Sequence, residues 1–506
     1  MTDSASIEAD EARELAATTG IARDAGLGLL GRVVAMGCSA VTGLLVANAL
    51  TKGEYGAYAI VVGINVVLVM ALDLGLTSAL ARYAAQGRAT TRLVSSVALT
   101  RLAVIAVAAG AVLATGELDS VAESRVGELL PWLALLVVTQ STISFHFGML
   151  PSLRRIRLLL AVTVAQPVAE LALVLRARSE GATPDAMLLA TILAGAVVGT
   201  LAWLALLAPG RAASTDIPDA PRAEQAHLRM VATYGRSIFL VSLLIAVFGQ
   251  VDQFVIGLFH PLAEVAPYAL AIKLQALVAA PGITIAGIVA PRIAGAGSRA
   301  LATYRQWLAF LLVVDLGAVL VLCALAPEVF GAIGDQYGGE WAILVAMAPF
   351  LLLSATAPLP SIALNQVGHA GARLRIAATA LAINVALDLA LVPGLGGYGA
   401  AIGTTVAYAY YFERHHRILE RALIAPAPAD ARSIRRTIVV GVVVSLAVAA
   451  VAFGIRLALE AALDAPSDVL VVLVAGGVAG ALHLAWSVRI VRTPVAARGR
   501  ATIVGR

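Results

Sequence analysis

Between Gly31 and Arg92 the chain reads GRVVAMGCSAVTGLLVANAL, then TKGEYG, then AYAIVVGINVVLVMALDLGLTSAL, then ARYAAQGRATTR. Two apolar segments of about 20 residues, each the length a helix needs to cross a hydrocarbon layer of about 30 Å, flank a short polar turn and lead into an arginine-bearing loop. This pattern constrains the chain to a transmembrane helical hairpin. The rest obeys the same constraint: 60% of all residues are hydrophobic and 13% charged, with a mean hydropathy of +0.90, whereas about a quarter of a soluble domain is charged. The fold class is therefore all-α and integral to a membrane, and water-soluble functions are excluded.

Fourteen spans are expected, starting near residues 27, 57, 93, 129, 158, 185, 231, 266, 306, 340, 374, 397, 434 and 468. With the N-terminus placed in the cytoplasm, 27 Lys and Arg residues fall on the cytoplasmic side and 5 on the outer side. Four more, Arg32, Arg101, Arg236 and Lys273, lie inside spans. This asymmetry follows the positive-inside rule and places both termini in the cytoplasm. The net charge of +5 thus serves topology, and nucleic acid is not an expected partner.

The polar, acid-rich first 25 residues lack the basic start of a secretory signal, and the apolar run that follows exceeds a signal core. The first span is read as uncleaved, and Ala47-Asn48-Ala49 as a chance likeness to a cleavage site. The expected organisation is a cytoplasmic tail (1–26), an N-lobe of spans one to six (27–208), a linker (209–230), a C-lobe of spans seven to twelve (231–416), a second linker (417–433), spans thirteen and fourteen (434–490) and a tail (491–506). No outer loop exceeds about fifteen residues, so no external catalytic domain is expected.

The two lobes echo each other. Glu54, Tyr58 and Arg82 recur as Glu264, Tyr268 and Arg292 at one offset of 210 residues, and Gly31-Arg32 recurs as Gly235-Arg236 at 204. Six spans per lobe is an even number, so duplicated lobes insert in the same orientation, as a parallel repeat about an axis along the membrane normal.

Charged side chains within spans are costly and face a protein interior or a watery cavity. Nine qualify: Arg32, Asp73, Arg101, Glu170, Arg236, Asp252, Lys273, Asp315 and Asp388. At roughly 1.5 Å per residue, Arg32, Asp73 and Arg101 share a depth of about 8 to 12 Å from the cytoplasmic side. They are expected to form one cluster of net charge +1, open between an anion site suited to phosphate and arginines reaching back to the interface. Asp252 and Lys273 share a depth near the outer side, and an ion pair across their hairpin is expected. Glu170 (beside Pro167), Asp315 and Asp388 lie deeper and stay open between protonatable carboxyl, cation ligand and helix contact.

The patterns Gly195-x-x-x-Gly199, Gly399-x-x-x-Gly403 and Gly476-x-x-x-Gly480 are expected to bring helices close. Cys38 and Cys323, both within apolar segments, read as packing residues. His415 and His416, flanked by Arg414 and Arg417 with no ligand constellation around them, read as interfacial. No metal and no cofactor is expected.

Several of these stretches together resemble the polysaccharide transporter, or oligosaccharide flippase, family of the MOP superfamily. They are the Glu-Tyr-Gly-x-Tyr turn at Glu54–Tyr58, Asp-Leu-Gly-Leu at Asp73–Leu76, Asp252-Gln-Phe-Val-Ile-Gly, Tyr268-Ala-Leu-Ala-x-Lys and Gly396-Gly-Tyr-Gly-Ala-Ala. The resemblance covers spans one to twelve. It implies a two-lobed bundle, in the cytoplasmic membrane, that flips undecaprenyl-pyrophosphate-linked oligosaccharide to the outer leaflet by alternating access, with no covalent chemistry of its own. It also implies cations that engage pyrophosphate, with Arg32 the leading candidate by position and Arg101, Arg236 and Lys273 behind it. Asp73, Glu170, Asp252, Asp315 and Asp388 are the supporting or coupling carboxylates. The implied partners are lipid-linked oligosaccharide and membrane lipids, with a polysaccharide polymerase and glycosyltransferases as further candidates. Two related branches remain as alternatives, the cation-coupled MATE exporters and the lipid II flippases. The first span carries Arg32 but no acid, unlike many MATE exporters.

Overall fold

The computed structural model describes residues 31, 34–85, 91–116, 124–151, 153, 155–207, 239–423, 431–463 and 467–492. Arg32, Arg236 and the expected linker 209–230 lie outside the described residues. The chain divides into two compact units, Met1–Ala246 and Val247–Arg506.

Among the described residues the structure is helical throughout, without strands. Twelve helices are long and apolar enough to cross a membrane, and a shorter apolar one spans Val34–Ala49. Gly397–Ala422 reaches 26 residues but has a polar second half, with Glu413, Arg414, His415, His416 and Arg417 in succession. Against the expected fourteen, the described residues thus give twelve helices of spanning length and character.

In the first unit, α1 (Val34–Ala49) is followed by α2 (Lys52–Asp73). The stretch read as a polar turn is in fact the start of α2. Thr51 caps the helix: its hydroxyl accepts from the Glu54 N–H at 3.4 Å, and its own N–H donates to Glu54 Oε2 at 3.0 Å. Two of the helix's four orphan donors are thereby satisfied, which is why the helix begins five residues before the expected position near 57. At the other end α2 stops at Leu74, which takes the left-handed conformation (φ 49°, ψ 17°), followed by Gly75 at φ 71°. The chain resumes as α3 (Leu76–Ala85). After it come α4 (Thr91–Gly116), α5 (Leu130–Met149), α6 (Ile156–Ser179) and α7 (Pro184–Leu207).

The division between units falls within a helical stretch over 239–248, which leads into α8 (Val251–Phe259) of the second unit. α9 (Leu262–Gly295) carries Pro267, Pro281 and Pro291, and α10 (Ala300–Ala324) follows. Short α11 (Ala326–Ile333) leads to a span broken into α12 (Ala342–Ala346), α13 (Ala348–Thr356) and α14 (Pro358–Gln366). Pro349 and Pro358, each without an N–H and each crowding the preceding turn, sit at the two breaks. α15 (Ala370–Leu395) and α16 (Gly397–Ala422) form a tight pair. α17 (Ala431–Ala462), α18 (Asp468–Val471), a wide π-type turn over Val472–Gly476 and α19 (Gly477–Arg492) complete the chain.

The echo between lobes has a local structural counterpart. Glu54 and Glu264 both occupy the third residue of their helices, α2 and α9. Four residues on, Tyr58 and Tyr268 are both buried.

Small residues set the helix contacts. A Cβ on Gly399 would lie 2.7 Å from the Leu391 backbone carbonyl, and one on Gly403 would lie 2.5 Å from Asp388 Oδ1, so α15 and α16 approach to backbone distance only because both are glycine. A Cβ on Gly195 would lie 3.3 Å from Thr139 Cβ and one on Gly199 would lie 3.2 Å from Thr142 Cγ2. The third pattern holds at one of its two positions: a Cβ on Gly476 would meet Leu325 Cδ1 at 3.4 Å, whereas nothing lies within 4 Å of one built on Gly480.

Candidate functional site: two buried ionisable centres and an apolar groove

In the first unit the break after α2 places Asp73 and Thr77 on either side of Leu74–Gly75, facing α4. Arg101 of α4 answers both, with Nη1 3.3 Å from Asp73 Oδ1 and donating to Thr77 Oγ1 at 2.6 Å. The Thr77 hydroxyl itself donates to Asp73. The second Nη of Arg101 donates to the Ser141 carbonyl of α5 at 3.2 Å, and its guanidinium lies 5.1 Å from the Phe145 ring centre. Phe145 in turn stacks on Trp203 of α7. The expected association of Asp73 with Arg101 is therefore present. Arg101 is only 3% exposed, so its charge is spent inside the unit, and the geometry favours a helix clamp over an anion site.

Glu170 of α6 accepts from Thr191 Oγ1 of α7 at 2.9 Å.

The second unit holds the denser centre. Asp252, at the second residue of α8, accepts from Thr404 Oγ1 of α16 at 2.6 Å and from Asn384 Nδ2 of α15 at 2.7 Å. The Tyr268 hydroxyl of α9 donates to the same carboxylate. Asn384 Nδ2 also reaches Asp388 Oδ2 at 2.6 Å, one helical turn along α15. The expected partner of Asp252 was Lys273; the donors that hold its carboxylate are instead the neutral groups of Tyr268, Asn384 and Thr404, drawn from three other helices. Asn384, Thr404 and Tyr268 were not singled out as site residues. One signal was present for Asn384: it lies four residues before Asp388 on an otherwise apolar helix, hence on the same face.

This centre has a surplus of acceptors. Among the described residues, Asp388 Oδ1 and Asn384 Oδ1 are both buried without a hydrogen-bond partner, beside two carboxylates whose donors are neutral. A positively charged hard species, a proton or an alkali cation, would satisfy them, since oxygen ligands suit such ions. Among the described residues there is no group of three or more His, Cys, Asp or Glu that could hold a metal ion, so the donor set does not fit a transition metal.

Asp315 of α10 is buried elsewhere in the same unit. Lys273 of α9 is half-buried.

A third feature is apolar. A groove of about 380 Å³ runs between α9, α10 and the last helix, lined by Leu277, Ala318, Leu322, Val472, Gly480 and Leu484 among others. The wide turn over Val472–Gly476 shapes one wall, and bare Gly480 leaves space there. Leu277 and Leu484 are both exposed along it.

Glu328 of α11 lies outside the candidate spans, with Oε1 2.6 Å from Nε of Arg456 near the end of α17, which also lies 3.0 Å from Glu460. Burial pushes the Glu328 carboxyl above the usual carboxylate range, with Arg456 pulling the other way and Glu460 and Asp468 adding to the rise.

Residues 21–295 match the family described as "Polysaccharide biosynthesis protein", more than half of the 506 residues. No curated protein matches significantly. Among solved structures, the lipid II flippase MurJ in an inward closed conformation superposes with a TM-score of 0.66 at 12% identity, covering 92% of this chain and 99% of that one. An inward-facing multidrug resistance MATE family transporter of the MOP superfamily gives 0.61 at 17% identity, covering 76% and 95%. A point mutant of the Vibrio cholerae MATE transporter VcmN gives 0.54 at 16%, covering 79% and 96%. At these identities the likeness is one of fold.

Proposed function

This chain belongs to the polysaccharide biosynthesis protein family, and on that premise we propose that it flips a lipid-linked oligosaccharide, carried on undecaprenyl pyrophosphate, from the cytoplasmic to the outer leaflet by alternating access. The observation that carries this reading is the apolar groove between α9, α10 and α19. A cargo with a long hydrocarbon tail needs an apolar track along the protein while its head group moves through polar surroundings. A compact water-soluble drug does not.

Pyrophosphate recognition falls to Arg32, Arg236 and Lys273, because Arg101 is already neutralised by Asp73. The Asp252–Asp388 centre is the proposed coupling site, where a proton or alkali cation would enter as the lobes rock and leave on the opposite side. Both termini are placed in the cytoplasm. A polymerase and the glycosyltransferases that build the cargo are the partners such a reaction requires.

The coupling centre also suits a second reading, a cation-coupled exporter of small molecules in the MATE manner. Lipid II is a third candidate cargo. The deciding experiment follows transbilayer movement of labelled undecaprenyl-pyrophosphate oligosaccharide in liposomes, for the wild type and for Gly480→Trp. An indole at 480 has open space at its Cβ and fills the groove. Wild-type movement that the substitution abolishes supports the flippase. A folded wild type that leaves this lipid in place, and instead expels a cationic dye against a proton or sodium gradient, establishes the exporter.

A further inference from the structure

Asp315 stands in the middle of α10, nine residues before its end at Ala324, and is 1% exposed. Its Oδ2 is buried without a partner, and among the described residues no hydrogen bond or ion pair engages the carboxyl. The elements packed around α10 are α9, α13, α17 and α19, with the turn Gly297–Arg299 and α11 at its two ends; these last carry Arg299 and Glu328, and Glu328 is paired with Arg456. α13 carries no titratable side chain. On α19 the nearest titratable group is His483, whose Nε2 is turned to the Val313 carbonyl at 2.9 Å. On α17, Ser445 donates to that same carbonyl at 3.3 Å, and the charged residues of this helix lie toward its ends. α9 carries Glu264, Lys273 and Arg292, and among the described residues no hydrogen bond or ion pair links any of them to Asp315.

An isolated carboxylate at this depth would cost far more than a neutral acid, so enclosure as seen here favours the protonated form. The contrast with the Asp252–Asp388 centre is chemical. That centre offers several oxygens from four helices and can coordinate a cation, whereas Asp315 offers one carboxyl and no further ligand. A single acid in apolar surroundings can bind only a proton.

Nor does packing explain the residue. Asparagine or leucine would fill the position without a group that must be kept neutral. We propose that Asp315 is a proton-binding site of the transport cycle, separate from the Asp252–Asp388 centre. It holds a proton while enclosed as here. When neighbouring helices part and admit water, its O–H bond breaks, the proton passes to water and the carboxylate is left hydrated. This inference rests on the chain being a transporter and is independent of which cargo it moves.

The test uses purified full-length protein in lipid, as wild type and Asp315→Asn. The infrared difference spectrum at neutral pH is expected to show the carbonyl stretch of one protonated carboxyl group, lost in the variant, with thermal stability unchanged or raised because no partner is lost. In vesicles, transport driven by an imposed pH gradient is expected to fall at least tenfold in Asp315→Asn, while exchange without a gradient persists. Absence of the band refutes the proposal. So does a band accompanied by undiminished pH-driven transport, which would leave a buried acid with no role in the cycle. If the wild type moves no lipid-linked sugar, the flippase reading falls, and pH-driven movement of a cationic dye by the same two proteins decides the role of Asp315.

Discussion

Gly403 is the residue on which the dicarboxylate centre can be tested with one methyl group. A Cβ there would sit 2.5 Å from Asp388 Oδ1 and 3.3 Å from Leu387 Cβ. Ordinary contact begins near 3.4 Å, so the carboxylate must retreat by about 0.9 Å, or α15 and α16 must separate. Overpacking of this kind costs about 1 to 3 kcal/mol, which for units of this size lowers the unfolding midpoint by roughly 2 to 12 °C. Gly399→Ala is the control. Its Cβ would meet the Leu391 backbone at 2.7 Å, in the same helix pair one turn away but clear of the centre. Both variants are expected to lose stability in a thermal unfolding assay. Only Gly403→Ala should also weaken cation dependence, with the half-saturating sodium concentration or the proton dependence of transport shifted at least ~tenfold, equivalent to about 1.4 kcal/mol. Equal ion dependence in Gly403→Ala, Gly399→Ala and the wild type would refute the assignment of Asp388 to coupling.

Three further outcomes follow from the geometry. Arg101→Leu alone strands Asp73 in a buried setting and should cost about 3 to 5 kcal/mol, whereas Arg101→Leu combined with Asp73→Asn should recover most of it in the same unfolding assay; no recovery would argue against the clamp. Leu74→Gly relieves a left-handed residue that is 43% exposed and makes little packing contact, so stability should hold or rise by about 1 kcal/mol, while Leu74→Val should lower it. Burial raises the pKa of Glu328, meaning that the folded state binds its proton more readily than the unfolded one. The wild type should therefore gain stability relative to Glu328→Gln as pH falls through the folded value toward about 4.5, and lose that gain as pH rises; a pH-independent difference in unfolding midpoint would contradict this.

What the sequence made legible follows from the reach of its signals. Hydropathy and arginine placement are read within single spans, and they locate most of the helices. Depth counted from helix ends is enough to pair Asp73 with Arg101, because both lie near one interface on helices close in sequence. The same counting pairs Asp252 with Lys273, where it fails. Depth says nothing of rotation about the helix axis: of the donors that hold Asp252, Tyr268 lies on the same helix as Lys273 but on another turn, and the other two come from positions 132 and 152 residues onward. The turn at Thr51–Gly56 is misjudged for a related reason: its polar residues are a helix cap, and hydropathy cannot tell a cap from a loop. The breaks at Leu74 and across α12–α14 also interrupt spans without altering their apolar character.

The length of α9 has a mechanical consequence. Thirty-four residues rise about 50 Å, well beyond a hydrocarbon layer of about 30 Å. Tyr268, which touches the dicarboxylate centre, is the seventh residue, and Arg292 lies about 36 Å further along at 1.5 Å per residue. The helix is thus a lever whose short arm rests on the acid centre. A tilt of about 5° at that fulcrum carries the far end through roughly 3 Å, and Pro281 between the two offers a place for the arm to flex. A displacement smaller than one ion's diameter at the carboxylates would thereby be magnified at the far end of α9.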